Sequence, residues 1–302
     1  MGGTRTDAGT DSGTSTVTVF GLGLMGQALA SAMLVGDRET TVWNRTPGRA
    51  DALVERGARE AADVRRAVEA GDLLIVCVRD YRAVREFLDP VADALSGRTV
   101  VNLTSGSSAE AREMAAWAAG HGAAYLDGAI MMTPPGIGLP DTVLLYAGPA
   151  DVFAAHEDTL RLLGGGTTHL SEDTGIASLY DVALLGIMWG SLNGFVHAAA
   201  LLAADGVTAK EFLPFATSWL GAIGVFTGVV ADQVDSGDFA AVDASLASHL
   251  SPVEHLIDES RARGIDASLP EFTRGLLTAA IARGQSGDGY ARLIEHFRPG
   301  QA

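Results

Sequence analysis

The first half of the chain alternates short apolar runs with stretches whose apolar residues recur at helical spacing. The runs are TVTVF (16–20), ETTVWN (39–44), DLLIVCV (72–78), TVVNL (99–103), AAYLDGA (123–129) and TVLLYAG (142–148). Their length and their β-branched and aromatic content predict strands. Between them lie GLMGQALASAMLV, GRADALVERGA, DYRAVREFLDPVADAL and SSAEAREMAAWAAGHG, all with helix-compatible patterning. Strands alternating with helices predict an α/β fold with a mostly parallel, doubly wound sheet.

After LLGGGTTHLSEDTG the strand pattern stops. The remainder reads as helix, broken at ADGVTAK, VDSGDF, RGIDASLP and GQSGDGY. The change near residue 170 predicts a sheet domain over 16–170, a long interdomain helix over 171–205 and an all-helical domain over 206–302. Residues 1–15 are rich in Gly, Thr, Ser and Asp. They predict a disordered tail, because such a composition buries too little to offset its ordering entropy. The tail has no apolar stretch of the kind a secretion signal needs.

Two stretches of the helical part carry no charge, Val182–Ala204 and Phe212–Ala231. Each is long enough to span a bilayer. The first holds Asn193 and His197, the second Pro214, Thr217, Ser218 and Trp219, and no Lys/Arg cluster flanks either. Helices apolar on all faces also fill large cores and oligomer interfaces, and that is the reading taken here. A helix of some thirty residues would run roughly 45 Å and lie poorly covered in a monomer. The pattern therefore predicts an intertwined dimer in which each subunit wraps the other's long helix.

Charge narrows the partners. The 302 residues include 37 acids against 21 Lys and Arg, a formal net charge of −16. Nucleic acid and anionic lipid would be repelled, which leaves a soluble cytoplasmic protein as the expectation. The single cysteine, Cys77, excludes an internal disulfide and reads as a small core residue. The seven histidines are scattered, and no HExxH or paired-cysteine spacing suggests a metal. His197 reads as a satisfied buried or interface residue, His249 and His255 as surface. GxSxG is absent, so a hydrolase of that type has no basis.

The chemistry begins at VTVFGLGLMGQALA, where Gly21-Leu22-Gly23-Leu24-Met25-Gly26 follows a strand and opens a helix. The first glycine permits the tight turn, the second lets backbone approach a pyrophosphate, and the third allows close helix–strand packing. Free N–H groups of the helix N-terminus then face the phosphates. The cofactor is chosen at the end of the second strand, in VWNRTPGRA. An NAD site usually carries an acid there for the ribose 2′-hydroxyl. This chain has Asn44, Arg45, Thr46 and Arg49, with no acid before Asp51. Two arginines and a hydroxyl suit a 2′-phosphate, so the expected cofactor is NADPH.

The strand ends at Val78 and in VNLTSG (101–106) should lie along the nicotinamide side of the cleft. Asn102 there either contacts the nicotinamide ribose or carboxamide, or forms a turn. Trp189 and Trp219 fall in the uncharged helices and read singly as core. Together with Met132, Met188 and Phe195 they can also line a hydrophobic substrate pocket.

GLGLMGQALA, NRTPGR and a β-rich half followed by a helical half resemble the β-hydroxyacid dehydrogenase superfamily. In that superfamily the interdomain helix opens with G-x-G-x-x-x-K-x-x-N-N, whose lysine is the general acid/base. Here GIASLYDVALL puts Gly175 at the first glycine and Ala177 at the second. Asp181 replaces the lysine, and Leu184 and Leu185 replace the asparagines. A Ser-Gly-Gly element expected after LDGA is replaced by IMMTPPGIG. WNRT, the Pro-Pro after LDG, and YD followed by Gly186-Ile187-Met188-Trp189-Gly190 resemble instead the NADPH-dependent imine reductases, including the reductive aminases.

That resemblance implies reduction of an imine, or of a ketone plus amine, in a homodimer whose site is shared between one subunit's Rossmann domain and the partner's helices. It implies Asp181 as the catalytic residue. The physical logic agrees, because a carboxylate stabilises an iminium cation or supplies a proton when protonated, whereas lysine would repel it. Read on its own, Asp181 would be a residue near a helix start that meets the dipole or solvent. A divergent hydroxyacid dehydrogenase and a non-catalytic NADPH-binding regulator are the alternatives. The Asp form is loosely associated with (R)-amine products, while the natural substrate is not legible.

Overall fold

The computed structural model describes residues 16–300, so the predicted tail over 1–15 lies outside the described residues. One eight-stranded sheet forms the first half. Its strands are β1 (Val17–Phe20), β2 (Thr40–Trp43), β3 (Arg59–Glu60), β4 (Leu73–Val76), β5 (Thr99–Asn102), β6 (Ala124–Ile130), β7 (Val143–Ala147) and β8 (Gly166–Ser171). They lie in the order β3-β2-β1-β4-β5-β6-β7-β8. All pairs are parallel except β6 with β7, which are antiparallel. The sheet helices are α1 (Leu24–Val35), α2 (Asp51–Val54), α3 (Val64–Ala70), α4 (Tyr81–Leu88), α5 (Ser108–Gly120) and α6 (Ala150–Leu160).

Each central strand is buried on both faces, as a parallel sheet covered by helices requires. Alternate residues divide between two cores. Val17 and Val19 of β1 and Leu73 and Ile75 of β4 meet Leu29 and Met33 of α1. Phe20, Leu74 and Val76 turn the other way, onto Val68 of α3, Val84 of α4 and Met114 of α5. Side-chain caps start the second set of helices. Asp63 accepts from Arg66 N at 2.8 Å, Asp80 from Ala83 N at 2.8 Å, and Ser107 forms a reciprocal box with Glu110.

The six predicted strands are all present. Two more were not predicted, for physical reasons. The strand β3 has two exposed residues at the sheet edge, too short for a period. The strand β8 is GTTHLS, whose glycine and polar residues read as turn. It is a strand because it completes the edge beside β7. The predicted helix in GRADALVERGA is one turn, α2, since Gly57 at φ +104° ends it. The crossover to β4 is made by α3, and α6 leads from β7 to β8; both are additional to the predicted helices.

The second half contains α7 (Gly175–Ala203), α8 (Ala209–Ser236), α9 (Leu246–Ala262), α10 (Ser268–Ala282) and α11 (Ile294–Phe297), with breaks where the sequence placed them. By contacts the chain parts into two compact units inside α7, the first ending at Gly186 and the second opening at Ile187. The core of the second unit is small: Leu246 of α9 with Leu276, Leu277 and Ala280 of α10, and Leu293. The helix α8 has a capping box from Thr208 and Glu211 and a left-handed Gly237 at its end, yet not one of its residues is buried. Both α7 and α8 are long and apolar enough to cross a membrane by length and composition.

Candidate active site

The chain order reverses at β1. From there the sheet grows outward to β2 and β3, and β4 then returns to the other side of β1. In open α/β sheets the crevice beyond the strand ends at such a point is where ligands bind. The turn after β1 and the end of β4 are pressed together there. A Cβ on Gly21, whose φ is +88°, would lie 2.3 Å from Cys77 O and 2.7 Å from Val78 Cγ1. One on Gly26 would lie 1.8 Å from Gly21 O. Both positions therefore demand glycine. Gly23 is different: a Cβ there meets nothing within 4 Å. Its surroundings are open beside the uncapped N-terminus of α1, which has no acid in its first turn. This glycine turn leads into a helix N-terminus without a side-chain cap, a cradle that fits a dinucleotide pyrophosphate.

A recess of about 450 Å³ runs on from the cradle, lined among others by Met25, Asn44, Arg45, Thr46, Val78 and Arg79. Asn44 shapes it. Its Oδ1 accepts from Leu22 N at 2.8 Å, and its Nδ2 donates to Thr46 O at 2.8 Å, tying the glycine turn to the loop after β2. Arg45 is exposed and sits 3.7 Å from Glu86. Arg49 is exposed too, and the recess lining does not include it. The two arginines at the recess are thus Arg45 and Arg79, the latter paired with Asp80 at 2.8 Å. Arg79 stands just after the end of β4 in no motif, so the sequence carries no signal for it. Cys77 is inert, its thiol pushed up to about 11 by burial.

Asn102 is wholly buried, donates to Tyr125 Oη at 3.2 Å and accepts from Thr104 N at 3.2 Å. Thr104 in turn accepts from Val78 N at 3.2 Å, which fixes the ends of β4 and β5 to one another.

Asp181 lies in the second turn of α7 and is only 5 % exposed. The start of α7 is clamped by Arg112 of α5, whose guanidinium makes two 2.8 Å bonds to Asp173 and covers Gly175. Burial raises the Asp181 carboxyl above the usual carboxylate range, and a hydrogen bond from Ser105, in the loop after β5, works against that rise. Among the described residues no cation pairs with it.

A second buried carboxylate stands nearby. Asp127 of β6 is 0 % exposed. Its Oδ1 accepts from Tyr81 Oη and from Tyr125 Oη, the latter at 2.9 Å, and its Oδ2 accepts from Ser178 Oγ at 2.6 Å. Burial is the main reason the Asp127 carboxyl rises to about 6, with the Asp181 charge adding to it and the three hydroxyls opposing. Neither Asp127 nor its three donors was singled out from the sequence. A signal existed, for an acid inside the apolar run AAYLDGA is as anomalous as Asp181 at the head of its own.

The expected pocket residues divide between the two units. Met132 packs over Gly136 in the loop after β6 and is 37 % exposed. Met188 and Trp189 are exposed on α7 and Trp219 on α8, all in the second unit. Trp219 meets Phe226 edge-on at 6.3 Å, and Phe195 stacks on Phe212 at 5.8 Å. Among the described residues no ring contact joins Trp189 to Trp219. His197 is satisfied, with Nε2 3.1 Å from Asp266 O. No group of three or more metal-ligating side chains occurs among the described residues.

Comparison with known proteins agrees with this arrangement. A family model for the NAD binding domain of 6-phosphogluconate dehydrogenase matches residues 16–171. A model for the C-terminal domain of NADPH-dependent reductive aminase-like proteins matches residues 173–299. The NADPH-dependent reductive aminase of Aspergillus oryzae is 38% identical over 287 residues, covering 94% of this chain and 97% of that protein. Among solved structures, the reductive aminase from Aspergillus terreus in complex with NADPH4, cyclohexanone and allyl amine superposes with a TM-score of 0.89 at 40% identity, over 94% of this chain and 100% of that one. The imine reductase from Myxococcus stipitatus in complex with NADP+ gives 0.89 at 38% identity, with the same coverage. The glycine cradle, the arginine after β2 and the buried acid of α7 thus stand in a chain that belongs to the NADPH-dependent imine reductase and reductive aminase family.

Proposed function

We propose that this chain, an NADPH-dependent oxidoreductase of C=N bonds by its family, reduces cyclic imines or a condensing ketone and amine, with Asp181 as the residue that acts on the nitrogen. The observation that carries this reading is the buried Asp181 carboxyl, which has no cation of its own. A buried acid so placed gains by facing a cation. An iminium is that cation. The same acid, its proton held by burial, can hand it to a neutral imine nitrogen and then face the product of its own transfer.

The cofactor site follows from the cradle. Gly21, Gly23 and Gly26 with Leu22 and Met25 would hold the pyrophosphate at the N-terminus of α1. Arg45 and Thr46, with Asn44 fixing their loop, would take the 2′-phosphate, and Arg49 can reach it only by moving from outside the recess lining. Bound there, NADPH supplies the hydride. Val78 would flank the nicotinamide side, and Asn102 would support that side from beneath through Thr104 and Tyr125.

The domain division fits these roles: 16–170 for the cofactor, 171–205 for the helix that carries Asp181, and 206–302 for dimerisation and substrate. Supporting a dimer is the exposure of apolar side chains along α7 and α8, including Ile187 at 67 %, Phe215 at 73 % and Val225 at 72 %. So large an apolar face is a partner surface in a soluble protein. We assign the chain to the cytoplasm as a homodimer, with Met132, Met188, Trp189 and Trp219 as walls of a substrate pocket completed by the partner copy.

Three outcomes are expected. Asp181→Ala should lower pyrroline reduction about 100-fold or more, the size of a general acid's contribution, while NADPH fluorescence titration shows binding retained. Unchanged turnover would contradict the role. Arg45→Ala should weaken NADPH binding about 10-fold and leave NADH binding unaltered, a loss of roughly 1.4 kcal/mol. Equal losses for both would remove the 2′-phosphate assignment. Light scattering of the full chain should give twice the 31.2 kDa chain mass; a monomer at micromolar protein would overturn the dimer.

A further inference from the structure

The recess beside the glycine cradle carries an acid. Among the described residues that line it, only Glu86 is a carboxylate, against the guanidinium groups of Arg45 and Arg79. Glu86 belongs to α4, whose Ala83 and Phe87 line the recess with it at helical spacing. Packing fixes where that helix stands. Tyr81, Val84 and Leu88 are buried on its inner side. Phe87 stacks on Phe20 at 5.4 Å and packs against Trp43 at 5.4 Å. Phe20 ends β1 and Trp43 ends β2, so the three rings tie α4 to the strand ends that carry the glycine turn and Asn44.

The Glu86 carboxylate stands between two cations. Its Oε2 lies 3.7 Å from Arg45 Nη1, and its Oε1 lies 3.7 Å from Arg82 Nε. Both separations are longer than a hydrogen bond, and the Glu86 side chain is half exposed. The fold gains little from an acid here. Glu86 sits in the last turn of α4, where the helix dipole disfavours negative charge. Its pair with Arg82 has the weaker order, with the acid on the C-terminal side. Asp80, by contrast, caps the helix and pairs with Arg79 at 2.8 Å. Nor does Glu86 favour a bound polyanion in a chain of net charge −16. What distinguishes it is its contact with Arg45, the guanidinium assigned to the 2′-phosphate.

We propose that Glu86 is a specificity-determining residue for the cofactor: it competes with the 2′-phosphate for Arg45, lowering the affinity for NADPH while leaving that for NADH unchanged. This rests on the reading of Arg45 given above. A phosphate taken by Arg45 must share or displace the Glu86 carboxylate, and the two anions repel. NADH brings a hydroxyl instead, which carries no charge and can donate to a carboxylate. An NAD site usually keeps its acid after the second strand. Here that strand is followed by Asn44 and Arg45, and the acid comes from α4.

The test is calorimetric titration of the full chain with NADP+, NAD+, 2′,5′-ADP and 5′-AMP, for wild type, Glu86→Gln and Arg45→Ala. The two adenosine phosphates isolate the 2′-phosphate from the rest of the dinucleotide. At about 0.05 M salt, Glu86→Gln should bind NADP+ and 2′,5′-ADP about threefold or more tighter, the size of an exposed charge interaction. NAD+ and 5′-AMP should bind as to wild type. The gain should shrink in about 1 M salt, where the Debye length is about 3 Å. Unchanged affinity for 2′,5′-ADP overturns the proposal. So does an equal gain for all four ligands, which marks a reshaped recess, or a gain that high salt leaves intact. If Arg45→Ala weakens NADP+ while Glu86→Gln alters nothing, the role of Glu86 alone is overturned. Undiminished NADP+ affinity in Arg45→Ala overturns the 2′-phosphate reading and this inference with it.

Discussion

Everything in the proposed chemistry depends on one electrostatic constraint: a carboxylate buried on α7 with no cation beside it among the described residues. Desolvation is the leading influence on Asp181. In water the attraction between a carboxylate and an iminium would be worth little; in a low-dielectric site it grows several-fold. The chain therefore leaves the positive partner to be provided by the substrate. In the related dehydrogenase pattern the same helix position is occupied by a lysine, and an iminium there would meet a like charge.

The scaffold is built to keep this acid in place while leaving the cofactor recess open. Gly21 and Gly26 let the turn after β1 close on the end of β4 with no room for a methyl group. Asn44 locks that turn to the loop after β2, and Thr104 locks β4 to β5. Arg112 holds the first turn of α7 through Asp173. Beside the recess lie the groups a dinucleotide would use: the uncapped N-terminus of α1 and the exposed guanidinium of Arg45. Arg45 rests against Glu86 at 3.7 Å, an exposed pair of small energy that a phosphate can displace.

The sheet was legible because buried parallel strands are continuous apolar runs, and six of eight were found that way. The missing two lie at edges, where β3 is two residues long and β8 is mostly polar, so neither has a period to read. The long helix was legible, beginning four residues inside the predicted 171–205 and ending two inside it, since thirty residues without a strand signal permit little else. The glycine cradle and Arg45 were legible from spacing. Arg49 lies in the same loop as Arg45 and is exposed, outside the residues that line the recess. Asp127 shows in the sequence only as an acid inside an apolar run, and its partners are a matter of packing: Tyr81, Tyr125 and Ser178 come from distant segments and meet only in the fold. Asn102, open between two roles in the sequence, donates to Tyr125 of that same cluster.

The central claim is that Asp181 recognises positive charge. The most direct measurement is the dissociation constant of the NADP+-bound enzyme for N-methylpyrrolinium and for cyclopentanone, a neutral ring of similar size, in wild type and Asp181→Asn. Affinity for the cation should fall in the variant by about 10-fold or more while affinity for the ketone stays unchanged. Equal changes for both ligands, or none for the cation, would contradict the account.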